Sequence, residues 1–138
     1  MNAIEKLFIL IGLALIVAAC TPSQVAVATR TANGVAEFAE ATHDVLAKRY
    51  KAEQVQCVEL APARADAEFC VQDVRKRYEP AWRWYNNLRR AWLLLSSAIQ
   101  SAKIVNDSED PRLLPAVSEL LKAREGFDQV ADVLKEDL

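Results

Sequence analysis

Histidine is nearly missing from this chain and glycine is scarce: 138 residues include one histidine, His43, and three glycines. A single imidazole removes most nucleophilic designs, because Ser-His-Asp and Cys-His sets need one as the base. It also argues against a di-iron bundle. Glu40 and His43 have the Glu-x-x-His spacing of such sites, but a second pair and two further carboxylates are required. Strong charge of one sign is lacking too. Seventeen Lys and Arg stand against nineteen Asp and Glu, a net charge of −2, which argues against a general nucleic-acid binder. No apolar–polar alternation is long enough to specify a strand. The expectation is a chain without catalytic residues, cofactor or metal.

What is present favours helix: alanine, leucine, arginine and glutamate are plentiful. The chain opens on a short polar start, Met1 to Lys6, followed by the apolar block Leu7–Ala19 and Val17-Ala18-Ala19-Cys20. That block is shorter than the roughly 17–25 residues of a membrane-spanning helix. It has the length of a signal-peptide core ahead of a small-residue cleavage point. The Val-Ala-Ala-Cys stretch resembles the lipobox of bacterial lipoprotein precursors. The resemblance implies that residues 1–19 are a cleaved signal helix and that Cys20 receives lipid, palmitate included, as the new N-terminus. Thr21 follows the cysteine where an aspartate would favour inner-membrane retention. Similarity to that class therefore implies an outer-membrane lipoprotein facing the periplasm, its membrane contact made through the lipid.

With Cys20 lipidated, Cys57 and Cys70 remain, in a compartment that favours disulfides. Their midpoint falls in Ala61-Pro62-Ala63-Arg64, the best turn signal of this region. Two helices meeting there carry the thiols at similar distances from the turn, which predicts a Cys57–Cys70 disulfide.

The clearest periodicity runs through Ala67, Val71, Val74, Tyr78, Ala81, Tyr85, Leu88, Trp92, Leu95, Ile99 and Ala102. The steps alternate four and three without a break, the pattern of a seam between packed helices. Pro80 interrupts it, yet the register continues past it, which predicts a kinked helix rather than two helices. A second seam joins Leu113, Val117, Leu120, Arg124, Phe127, Ala131, Leu134 and Leu138, widened by Leu114 and Leu121. A weaker stripe upstream, Val35, Phe38, Thr42, Val45, Leu46 and Tyr50, continues to Val58. Asp110-Pro111 reads as a helix start, and Thr21–Asn33 as a marginal helix or tether. These readings give a signal peptide at 1–19, a lipidated N-terminus and tether at 20–34, and a bundle at 35–138. The bundle is all-α, an elongated, coiled-coil-like, antiparallel arrangement of three helices over about 35–59, 66–105 and 112–137.

On the face opposite the central seam, Lys76, Arg83 and Arg90 recur every seven residues, with Arg75, Trp82 and Arg89 in the adjacent row. Lys76, Trp82, Arg83, Arg89 and Arg90 are therefore the candidate partner-binding residues, suited to anionic groups through ion pairs and apolar contact. A solvated charged face and pairing with the acid-rich third helix are the competing readings. The expected function is non-enzymatic: a lipid-anchored helical lipoprotein that binds another envelope component, a protein partner or headgroup surface rather than nucleic acid. The alternatives are a phage- or plasmid-encoded envelope lipoprotein, in lysis of the spanin kind or superinfection exclusion, and a small-ligand or metal-binding bundle near Glu40 and His43. Pairing of the seams between chains, as an oligomer, stays open.

Overall fold

A computed structural model describes residues 22–136. The apolar block, Cys20, Thr21 and Leu138 lie outside the described residues. Three helices account for the described chain: α1 (Gln24–Leu60), α2 (Arg64–Ile104) and α3 (Leu113–Glu136). They form an all-α three-helix bundle, each helix packed against the other two. At 1.5 Å per residue, α1 and α2 are about 55 and 60 Å long and α3 about 36 Å. The Val25 N–H donates to the Ser108 carbonyl at 3.2 Å, so the start of α1 abuts the α2–α3 turn. At the other end Leu134 shares a cleft with Cys57, Cys70 and Val74. The disulfide forms as expected, joining α1 to α2 with Cα atoms 5.6 Å apart.

Helix α1 starts earlier than its apolar stripe suggests. Ser23 caps it, its Oγ accepting the Ala26 N–H at 3.2 Å. Ala28 and Ala32 are buried, so residues 24–34 belong to the bundle and do not form a tether. Alanine side chains add little to an apolar pattern read from sequence, but they let α1 approach its neighbours closely. Near the turn Cys57 takes the buried position, whereas Val58 is 64% exposed and does not continue the stripe. Val45, also read into that stripe, is exposed as well.

Helix α2 follows its seam closely: all eleven positions are buried or half-buried. Trp92 is half-buried, and its indole N–H donates to the Ala32 carbonyl at 3.0 Å. Pro80 lies inside an unbroken helix and is exposed. It removes the N–H that would bond the Lys76 carbonyl, a loss tolerated where water can replace it. Pro80→Ala is therefore expected to stabilise the fold by about 2 kcal/mol, the helix-propensity gain less an unfolded-state entropy term. Urea denaturation would check it through a raised midpoint.

The helix ends in a left-handed cap. Asn106 has φ of 54°, its N–H donates to the Lys103 carbonyl at 3.3 Å, and the Asp107 N–H donates to the Ala102 carbonyl at 2.9 Å. This crossed pair of bonds satisfies the last carbonyls of α2, and asparagine is among the few side chains that accept that backbone.

Helix α3 begins behind an acidic cap. The Asp110 carboxylate, nearly buried, accepts the Arg112 backbone N–H at 2.9 Å and the Arg112 guanidinium at 2.6 Å. Those bonds, the side-chain ones foremost, hold the Asp110 carboxyl down at about 2. A depressed carboxyl contributes stability that is fully present above its unfolded value near 3.8 and is lost as pH falls towards 2. Asp110→Asn should flatten the fall in melting temperature between pH 4 and pH 2 relative to the parent.

The seam of α3 differs from expectation on its flanks. Leu114 and Leu121 are exposed, while Ala116, Ala123 and Val130 sit on the covered side. Arg124 is exposed, its guanidinium lying 4.7 Å from the centre of the Phe38 ring. The small side chains at 116 and 123, with Gly126, leave room for Trp84 of α2. A Cβ built on Gly126 would meet that indole at 2.6 Å.

Candidate interaction face

Aromatic side chains fill the middle of the bundle and decide which way α2 turns. Tyr50 of α1 lies between Tyr78 and Trp82, with ring centres 5.3 and 5.9 Å away. His43 packs on Tyr85 at 4.4 Å and on Trp82 at 5.5 Å. Phe127 of α3 meets Tyr85 at 5.7 Å and Phe38 at 6.2 Å, tying the three helices together. Trp82 is thus half-buried against α1, and it leaves the exposed row to which its spacing assigned it. Its column lies at the edge of the seam, where α1 supplies an aromatic wall.

Below Tyr50 a polar network crosses the same interface. The Tyr78 hydroxyl donates to Glu53 Oε1 at 2.6 Å, and Arg77 donates to Glu53 Oε2 at 3.0 Å. Burial first, then the bond to Glu53, pushes the Tyr78 hydroxyl up to about 12. Sequence reasoning missed this trio, because the three residues share no motif and meet only when α1 and α2 come into register.

With seam and network turned inward, the outer face of α2 is left to solvent. Lys76, Arg83, Arg89 and Arg90 are all exposed. Arg83 bonds Glu79 of its own helix at 2.9 Å. No carboxylate among the described residues lies within ion-pair distance of Lys76, Arg89 or Arg90, and no α3 carboxylate pairs with any cation of α2. Pairing with the third helix, one of the readings for this row, is therefore not how the bundle closes. The segment 75–90 holds six cations and one acid, so the rest of this chain of net charge −2 carries −7. Positive charge is therefore concentrated on this segment of α2.

Glu40 and His43 line a groove of about 500 Å³ between α1 and α2, with Asp44 and Arg89 at its rim and Leu88 and Trp92 in its floor. His43 Nδ1 is 3.8 Å from Asp44 Oδ1. Among the described residues no three His, Cys, Asp or Glu side chains are placed to hold a metal ion. No helix among them is long and apolar enough to cross a membrane. Compared with protein-family models, curated proteins and solved structures, the chain matches none.

Proposed function

We propose that this protein is a non-enzymatic, lipid-anchored component of a bacterial envelope that binds an anionic partner through the outer face of α2. The uncompensated cations Lys76, Arg89 and Arg90 carry this reading. An exposed charge that satisfies nothing inside the fold contributes little to stability and is available to a ligand. Three further observations support it. Cys20 stands in a lipobox-like Val-Ala-Ala-Cys sequence, four residues before α1 begins. The Cys57–Cys70 disulfide suits an oxidising compartment such as the periplasm. His43 stacks on Tyr85 and packs on Trp82, so its ring contributes to the α1–α2 packing.

Two measurements test this reading. Mass spectrometry of the protein from envelopes should find a chain beginning at Cys20 and carrying acyl groups; an intact Met1 with a free thiol would refute the anchor. Lys76→Glu, Arg89→Glu and Arg90→Glu together should abolish retention on anionic envelope material while the circular dichroism spectrum stays unchanged. Full retention by the triple variant would refute the binding face.

A further inference from the structure

The charged row of α2 belongs to a longer column with a different character at each end. Stepping by seven, Phe69, Lys76, Arg83, Arg90, Ser97 and Ile104 follow one another along the helix, and all six are exposed. Phe69 is 77% and Ile104 84% exposed, against solvent at either end of three cations. The column spans 35 residue steps, about 52 Å. Beyond Arg90 the helix has no charged residue until Lys103, yet Leu94 is 70% exposed there and Leu93 half exposed. Leu93 and Leu94 thus expose apolar surface in an uncharged stretch directly after the cationic one.

The apolar half also has a location. Ile104 and Val105 precede the turn whose Ser108 carbonyl receives the Val25 N–H, so they share an end of the bundle with the start of α1. Cys20 is four residues from Gln24, a span of at most about 14 Å when extended. An acyl chain on Cys20 would therefore bring a bilayer to the end of α2 where the leucines and Ile104 are exposed. The cations come next along the helix, at positions that meet the headgroups of a bilayer lying along it.

We infer that the outer face of α2 docks on an anionic phospholipid surface, Lys76, Arg83 and Arg90 on the phosphates and Leu94 and Ile104 in the acyl boundary. The inference rests on the binding face proposed above and names its ligand. A lipid surface accounts for cations and apolar residues neighbouring one another on an exposed helix face, since it offers phosphates and an acyl boundary side by side. The lipid on Cys20 and the face then act as two signals, and a pair anchors far more firmly than one.

The test uses the full chain with Cys20→Ser, so that no acyl group contributes. Its partition is measured into vesicles of phosphatidylcholine alone and into vesicles that also contain phosphatidylglycerol. The ratio of the two cancels the contribution of the apolar block 7–19. Lys76→Glu, Arg83→Glu and Arg90→Glu together should lower that ratio by roughly a hundredfold, given the usual attraction of each cation to an anionic leaflet. Raising the salt concentration should lower the parent's ratio but not the variant's, whose reversed charges are repelled until screened. Leu94→Ser with Ile104→Ser should reduce partition into both vesicle types. An equal ratio for parent and triple variant overturns the inference. So does a parent that ignores phosphatidylglycerol yet binds immobilised polyglutamate through the same three residues, which would assign the face to an acidic protein. Either result leaves the acyl group on Cys20 to be judged by mass alone, so the anchor and the docking face fail separately.

Discussion

Phe127→Ala is expected to destabilise the bundle by about 3–5 kcal/mol. Phe127 is fully buried and is the α3 ring that contacts both Phe38 of α1 and Tyr85 of α2. Truncation removes the transfer energy of a phenyl ring and leaves a cavity walled by helices that cannot easily collapse into it. The position combines burial with contacts to two partners, and no single neighbour can move in without abandoning another. Trp92→Ala should be milder, because Trp92 keeps part of its surface in water. Guanidinium unfolding of the two variants side by side measures the difference. A loss under about 1 kcal/mol for Phe127→Ala would show that α3 is not seated as described.

Reduction of the Cys57–Cys70 disulfide ranks second, with an expected loss of about 3 kcal/mol and a melting temperature lower by about 10 °C. The bond closes a loop of 13 residue steps, and releasing it restores freedom to the unfolded chain. At this end α1 and α2 are held by the short turn Ala61–Ala63, the disulfide and the Glu53 bonds to Arg77 and Tyr78. Only the Leu134 end of α3 reaches this level. The paired variant Cys57→Ala with Cys70→Ala should behave as the reduced parent does. Identical melting curves with and without reductant would show that the bond contributes nothing.

The central helix was legible because its inward positions are large and evenly stepped. A run from Ala67 to Ala102 leaves little choice of which face turns in, even across Pro80. The two cysteines were legible for a related reason: they flank the strongest turn signal at nearly equal distance. Helix α1 was harder, because Ala28 and Ala32 do the packing and alanine is equally common on exposed faces. The same holds for α3, where Ala116 and Ala123 are covered while the larger Leu114 and Leu121 face water. Size is a poor guide where helices approach closely, since the nearest approach selects the smallest side chains.

The interaction face was legible in part. Its seven-residue recurrence placed Lys76, Arg83 and Arg90 outward, and the structure agrees. Trp82 was misassigned because a row at the seam's edge is exposed or covered according to what the neighbouring helix presents. Tyr50 and His43 cover it, and neither lies near it in sequence. Phe69 and Ile104 belong to the same recurrence as the cations but pass unnoticed when only charges are followed.

The indole of Trp84 resting where a side chain on residue 126 would have to go has a consequence for variation in this protein. Replacing a mid-helix glycine by anything but proline ordinarily raises helix stability, so a mutational library scored for folding would be expected to enrich such substitutions there. In this protein position 126 should instead be among the least permissive of α3, recovering tolerance only in clones where residue 84 has become small. Such a paired pattern of survivors would report the α2–α3 spacing without any coordinates.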